Sequence, residues 1–121
     1  VFIGIASAAA VAQKAEPLRI KFAKGKTSAT LTNKLSGDQE MDYVFGAAKG
    51  QTVTLKVTSK AAGDLFDFSI QGDGFEFTTE EEAYSEYGFE APETGDYIVY
   101  VRKLPNKRPA SARFYLVLTI R

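Results

Sequence analysis

From Leu18 onward, apolar and polar residues alternate with a period of two. Leu18, Ile20 and Phe22 enclose Arg19 and Lys21, and Ala29 and Leu31 enclose Thr30. Tyr43 and Phe45 sit within Met41–Ala47, and Val53, Leu55 and Val57 interleave with Thr52, Thr54, Lys56 and Thr58. Phe66, Phe68 and Ile70 enclose Asp67 and Ser69, and Tyr87 and Phe89 enclose Gly88. Tyr97, Val99 and Val101 form the next set, and Phe114, Leu116, Leu118 and Ile120 the last. Successive side chains of a strand point to opposite faces, so each set predicts a strand with one buried face, eight in all.

Turn-forming residues separate the sets: Lys24-Gly25, Ser36-Gly37-Asp38, Lys49-Gly50, Gly63-Asp64, Gly72-Asp73-Gly74 and Thr94-Gly95-Asp96. Alternation, in place of continuous apolar runs, predicts antiparallel strands with one wet face. Short strands and closely spaced turns predict an all-β, jelly-roll-like antiparallel β-sandwich over residues 18–121. The expected core is Phe22, Leu31, Phe45, Val53, Leu55, Phe68, Val99, Leu116 and Leu118. Tyr100, Tyr115 and Val117 fall on the opposite faces of their strands, placed to cover an edge or to start a second apolar layer. After Pro17, Thr79–Ser85 is the segment that reads as either helix or loop.

The first residues are of another kind. Val1–Ala12 reads VFIGIASAAAVA, uncharged and rich in small residues, and is followed by Gln13, Lys14, Ala15, Glu16 and Pro17. This is the pattern of a signal-peptide apolar region, with Ala10-Val11-Ala12 as a small-x-small cleavage signal before Gln13. Residues 1–17 are therefore expected to be a signal-peptide remnant and leader, the alternative for the apolar run being a short amphiphilic N-terminal helix, and the mature domain is expected to be periplasmic or secreted. The run falls short of the ~20 apolar residues that span a bilayer. No Cys follows it to carry a lipid, so no stable membrane anchor is expected.

Composition removes several chemistries. The 121 residues fit one domain, and 45% hydrophobic content suffices for a core. With no His and no Cys, a hydrolase built on a His base is excluded, and the usual zinc and copper sites lack their ligands. Glu80-Glu81-Glu82 offers carboxylates, but they are consecutive and no apolar pocket surrounds them to raise one pKa, so catalysis is not expected. Asp64, Asp67 and Asp73 lack the spacing of a calcium loop. No cofactor and no metal is expected.

The charges cancel overall, yet they are sorted along the chain. Residues 1–60 carry nine Lys/Arg and four Asp/Glu, residues 61–101 carry eleven Asp/Glu and no Lys/Arg, and residues 102–121 carry six Lys/Arg and no acid. Such sorting fits either strands whose charges pair across space or two binding surfaces of opposite sign. Several of Glu76, Glu80, Glu81, Glu82 and Glu86 are expected on one exposed side, where they would steer a cationic partner. Arg102–Arg113, RKLPNKRPASAR, joins two strands, is wholly cationic and is stiffened by Pro105 and Pro109. It reads as a solvated hairpin loop or as a rigid loop offered to an acidic protein partner. No RNA-binding aromatic signature interleaves with the basic residues, so nucleic acid is not expected. The candidate partner-binding residues are Arg102, Lys103, Asn106, Lys107, Arg108 and Arg113. Lys107 and Arg108, near the loop centre, would make the contact, while Arg102 and Arg113 would orient the loop or pair with the acidic segment.

Two segments resemble the periplasmic inhibitors of g-type lysozyme. In Gly37–Val53, Tyr43, Phe45, Lys49, Gly50 and Gln51 match a Tyr-x-Phe strand that runs into a Lys-Gly-Gln turn, described in that family as a hairpin. In Thr94–Arg121, Thr94, Gly95 and Tyr97 match its Thr-Gly-x-Tyr turn, followed by the basic loop and the closing strand. The chain departs from the family where Arg-Asn-x-x-Arg is often found. Here the loop reads Pro105-Asn106-Lys107-Arg108 and is about two residues shorter. The two turn motifs are similar also to those of pre-peptidase C-terminal-like domains, accessory sandwiches of secreted enzymes. Both resemblances imply a jelly-roll sandwich. The first implies a binding protein that occludes a lysozyme-type glycosidase with its cationic loop, and the second a non-catalytic module that binds carbohydrate or protein.

Overall fold

A computed structural model describes residues 17–37, 39–59, 65–77, 86–104 and 108–121. The expected leader, apart from Pro17, and the helix-or-loop segment at 79–85 lie outside the described residues. The described residues form nine strands: β1 (Leu18–Arg19), β2 (Ser28–Ser36), β3 (Glu40–Ala47), β4 (Thr52–Ser59), β5 (Phe66–Gly72), β6 (Phe75–Phe77), β7 (Glu86–Glu90), β8 (Gly95–Lys103) and β9 (Ser111–Ile120). They make two sheets, ordered β1-β3-β8-β5-β6 and β2-β9-β4-β7. All pairs are antiparallel except β1 with β3. The sheets stack as an open β-sandwich.

The period-two pattern translates directly into the core. Tyr97, Val99 and Val101 of β8 and Phe114, Leu116 and Leu118 of β9 all belong to the one core, and all six are buried. Phe45, Val53, Leu55 and Phe68 join them, as expected from sequence. Phe22 and Leu31 are only partly buried. Phe22 falls beyond the end of β1, and Leu31 lies on β2, the margin of its sheet. Leu18 is 54% exposed, because β1 is a two-residue margin strand, tied by the Arg19–Asp96 ion pair and the Ile20 N–H bond to the Val44 carbonyl. Tyr100 lies on the outer face of one sheet, while Tyr115 and Val117 lie on that of the other, so the three make no common layer.

Sequence reading missed β6, three residues inside the acidic stretch. Phe75 stacks on Phe89 at 4.2 Å between ring centroids, and Phe77 stacks on Tyr87 at 3.7 Å. These pairs join the β6 and β7 margins, closing one side of the sandwich with aromatic rings.

Of the connections, β5 to β6 stays within one sheet; each of the others crosses between sheets. The expected hairpin around Lys49-Gly50 is therefore an arch from β3 to β4, and the cationic segment is likewise a crossover from β8 to β9. Gly50 turns the arch at φ 93°, in the left-handed region that suits glycine. The arch docks on the β7–β8 turn. Lys49 N–H donates to Thr94 Oγ1 at 2.8 Å, Gly50 N–H to the Ala91 carbonyl at 2.9 Å, and Ala91 N–H to the Gln51 carbonyl at 2.8 Å. In the same turn the Tyr97 hydroxyl donates to the Glu93 carbonyl, and the Tyr97 ring stacks on Phe45.

Gly72 lies against that ring: a Cβ there would come within 2.4 Å of it. Because the ring is buried and its hydroxyl is tied, it has little room to yield. Gly72→Ala should destabilise the fold by about 1–3 kcal/mol, measured by denaturant unfolding. An unchanged midpoint would show that the ring is loosely held.

Candidate partner-binding site

The cationic segment leaves sheet one at Lys103 and enters sheet two at Ser111. Its stem is fastened on both sides. Lys103 N–H donates to the Gln39 carbonyl at 3.1 Å, and Leu104 N–H to the Leu65 carbonyl at 2.8 Å. Gly37 N–H donates to the Ala110 carbonyl at 2.9 Å, and Ser36 Oγ lies 3.0 Å from Ser111 Oγ. Two neighbouring crossovers thus hold the base of the loop. Pro105, Asn106 and Lys107 lie outside the described residues.

The six candidate residues separate into distinct environments. Arg102 projects from the outer face of β8, in register with Glu40 on one side and Asp67 on the other. Its guanidinium donates to Asp67 Oδ2 at 2.9 Å, so its partner is an acid of the neighbouring strand β5, ahead of the acidic stretch that starts at Asp73. Asp67 is 5% exposed, so this bond holds a desolvated carboxylate. Lys103 differs from expectation as a binding residue. It continues the inward set Tyr97, Val99 and Val101, and it is fully buried. Its Nζ donates to the Leu104 carbonyl at 2.8 Å, and burial pushes the ammonium below the usual lysine range. Alternation on β8 puts it inside, so it supports the stem from within and presents no charge to a partner.

Arg108 is exposed on the loop, and its peptide bond to Pro109 is cis. Arg113 is exposed on the outer face of β9, where it donates to Thr32 Oγ1 at 3.2 Å and lies in register with Lys34. The structure thus brings Arg108, Arg113 and Lys34 to one end of the sandwich. Lys34 went unnoticed in the sequence because its place depends on the pairing of β2 with β9, which alternation alone does not fix. In the acidic stretch Glu76, Glu86 and Glu90 are exposed, while Glu80, Glu81 and Glu82 lie outside the described residues. Among the described residues no group of acids is placed to hold a metal ion.

This arrangement defines an open jelly-roll sandwich with one cationic end on a fastened stem. No protein-family model matches the chain, and no curated protein matches it in sequence. Solved structures share the fold. The Salmonella Typhimurium periplasmic inhibitor of g-type lysozyme, PliG, superposes with a TM-score of 0.69 at 20% identity, covering 89% of this chain and 100% of that one. Aeromonas hydrophila PliG gives 0.67 at 21% identity, covering 87% and 96%. The pre-peptidase C-terminal domain of a Bacillus anthracis collagenase gives 0.64 at 19% identity, covering 90% and 98%. At these identities the likeness establishes the fold.

Arg102→Ala should cost about 2–3 kcal/mol by leaving the buried Asp67 carboxylate without its cation, whereas Arg108→Ala should leave unfolding unchanged. Equal effects in chemical denaturation would contradict this division. Lys103 yields a pH dependence. The folded state gives up its proton more readily than the unfolded chain, so the cost of burying the charge is present at neutral pH. It is relieved as pH rises through the lowered folded value toward the ordinary ~10.4. Relative to Lys103→Met, the parent should gain stability over the alkaline range that leads up to ~10.4. A constant difference across that range would show that the amine titrates normally.

Proposed function

We propose that this chain is an exported, non-catalytic binding protein that inhibits a lysozyme-type glycosidase of the g-type by occluding its cleft. The observation that carries the reading is the fastened stem beneath Arg108, which offers charge from a loop whose base is already ordered. The likeness to the PliG inhibitors supports the choice of partner, and the apolar run at residues 1–12 supports a periplasmic or secreted location. A glycosidase cleft carries paired carboxylates. Lys107 and Arg108, with Asn106 beside them, would form charge-assisted hydrogen bonds there, each worth roughly 1.5–3 kcal/mol net. The surrounding contacts, including Arg113 and Lys34 at the same end, would supply the rest. Pre-ordering of the stem lowers the entropy lost on docking.

A second reading, a non-catalytic accessory domain that binds carbohydrate or protein, is supported by the comparable likeness to the collagenase domain. An inhibition assay against g-, c- and i-type lysozymes separates the two. Under the first reading the chain inhibits the g-type enzyme. The double change Lys107→Ala with Arg108→Ala then weakens inhibition at least tenfold, about 1.4 kcal/mol, at an unchanged melting temperature. Inhibition that survives the double change would remove the loop from the mechanism, and absence of inhibition in the parent would remove the reading.

A further inference from the structure

The outer face of the second sheet has a composition that the core does not require. Its central strand, β9, displays Arg113, Tyr115, Val117 and Thr119, and Arg121 follows. On one side the register sets Thr32 beside Tyr115, Thr30 beside Val117 and Ser28 beside Thr119. On the other it sets Thr58 beside Tyr115, Lys56 beside Val117 and Thr54 beside Thr119. A strip of one aromatic and one aliphatic side chain thus runs between two columns that consist of hydroxyls, apart from Lys34 and Lys56. A cation stands at each end of the strip. The outer faces of β2, β9 and β4 carry no carboxylate; the nearest on the sheet are Glu86 and Glu90 of β7, beyond β4.

At the Arg121 end the face deepens into an open cleft of about 260 Å³, lined by Thr52, Thr54, Thr119 and Arg121. Gly88 sits opposite Thr54 and adds no side chain there. Two hydroxyls are already oriented, with Thr119 Oγ1 2.9 Å from Ser28 Oγ. At the far end Thr32 Oγ1 accepts from Arg113 and donates to the Phe114 carbonyl at 2.8 Å, steadying the guanidinium over the face.

We infer that this face binds a carboxylated polysaccharide laid along β9. Hydroxyl groups both donate and accept, which suits the many hydroxyls of a sugar chain. The Tyr115 ring and Val117 offer an apolar strip to the C–H faces of sugar rings. Arg121, in the cleft, and Arg113 provide planar forks that match carboxylates. From Arg113 to Arg121 the strand spans about 26 Å, room for several sugar units. The excess of cations over acids on the three strands selects an anionic chain over a neutral one. This face adjoins the cationic end at Arg113 and Lys34, but its cleft and apolar strip lie apart from Lys107 and Arg108, and it does not rest on the proposed inhibition.

The test is affinity electrophoresis through gels containing polygalacturonate, neutral dextran or dextran sulfate, with duplex DNA as a competitor. The parent should be retarded by polygalacturonate, less so at physiological than at low salt, and should pass dextran unhindered. Arg121→Ala and Tyr115→Ala should each weaken retention at least fivefold, while Lys107→Ala with Arg108→Ala should retain it. Should Tyr115→Ala unfold, Thr54→Val, close in volume and lacking the hydroxyl, takes its place and should weaken retention likewise. Equal retention by dextran sulfate, or full displacement by DNA, would mark mere attraction to polyanions and overturn the inference. Retention unchanged in Arg121→Ala would do the same.

Discussion

The bond from the Lys49 amide to the Thr94 hydroxyl joins two turns that belong to different crossings of the sandwich. Because every connection but β5 to β6 passes from one sheet to the other, local turns set no strand order beyond that one pair. The order is fixed where crossovers meet. At this junction Gly50 and Ala91 add their own backbone bonds, and Tyr97 anchors the turn to the core through Phe45. The opposite end uses the same device on the cationic stem, through Gln39, Leu65 and Gly37. The sheets then stack over one shared core, to which β8 and β9 each give a continuous inward face.

Much of this architecture was legible in the chain. The long strands β4, β8 and β9 follow from strict alternation, because one wet face and one dry face leave a single register for burial. What escaped was set by tertiary partners. Phe75 and Phe77 alternate around Glu76, but three residues are too few to stand out until Tyr87 and Phe89 are seen to stack on them. The crossings could not be read either, since an arch and a hairpin use the same glycine chemistry. At the candidate site the exposed Arg108 and the strand-bound Arg113 were readable. The inward turn of Lys103 was implied by its own alternation with Val101 and was overlooked because its charge suggested solvent.

The two turn motifs that carried the family resemblance prove to be parts of one joint. Lys49-Gly50-Gln51 and Thr94-Gly95-x-Tyr97 hold each other, remote from the basic loop. Function must then be sought away from them, on the cationic end and on the exposed sheet faces, where side chains can vary without disturbing the joint.

The position of β9 has a kinetic consequence. It is the last strand in sequence, yet it lies in the middle of its sheet, paired with β2 on one side and β4 on the other. Ser28 meets Thr119 across 91 residues of sequence. While β9 is still being synthesised, β4 and β7 can pair, but β2 has no partner in that sheet. Topologies dominated by such remote pairings fold in milliseconds to seconds, orders of magnitude slower than helical bundles. Until β9 emerges from a ribosome, β2 and β4 have no strand between them and the sheet cannot close over its share of the core.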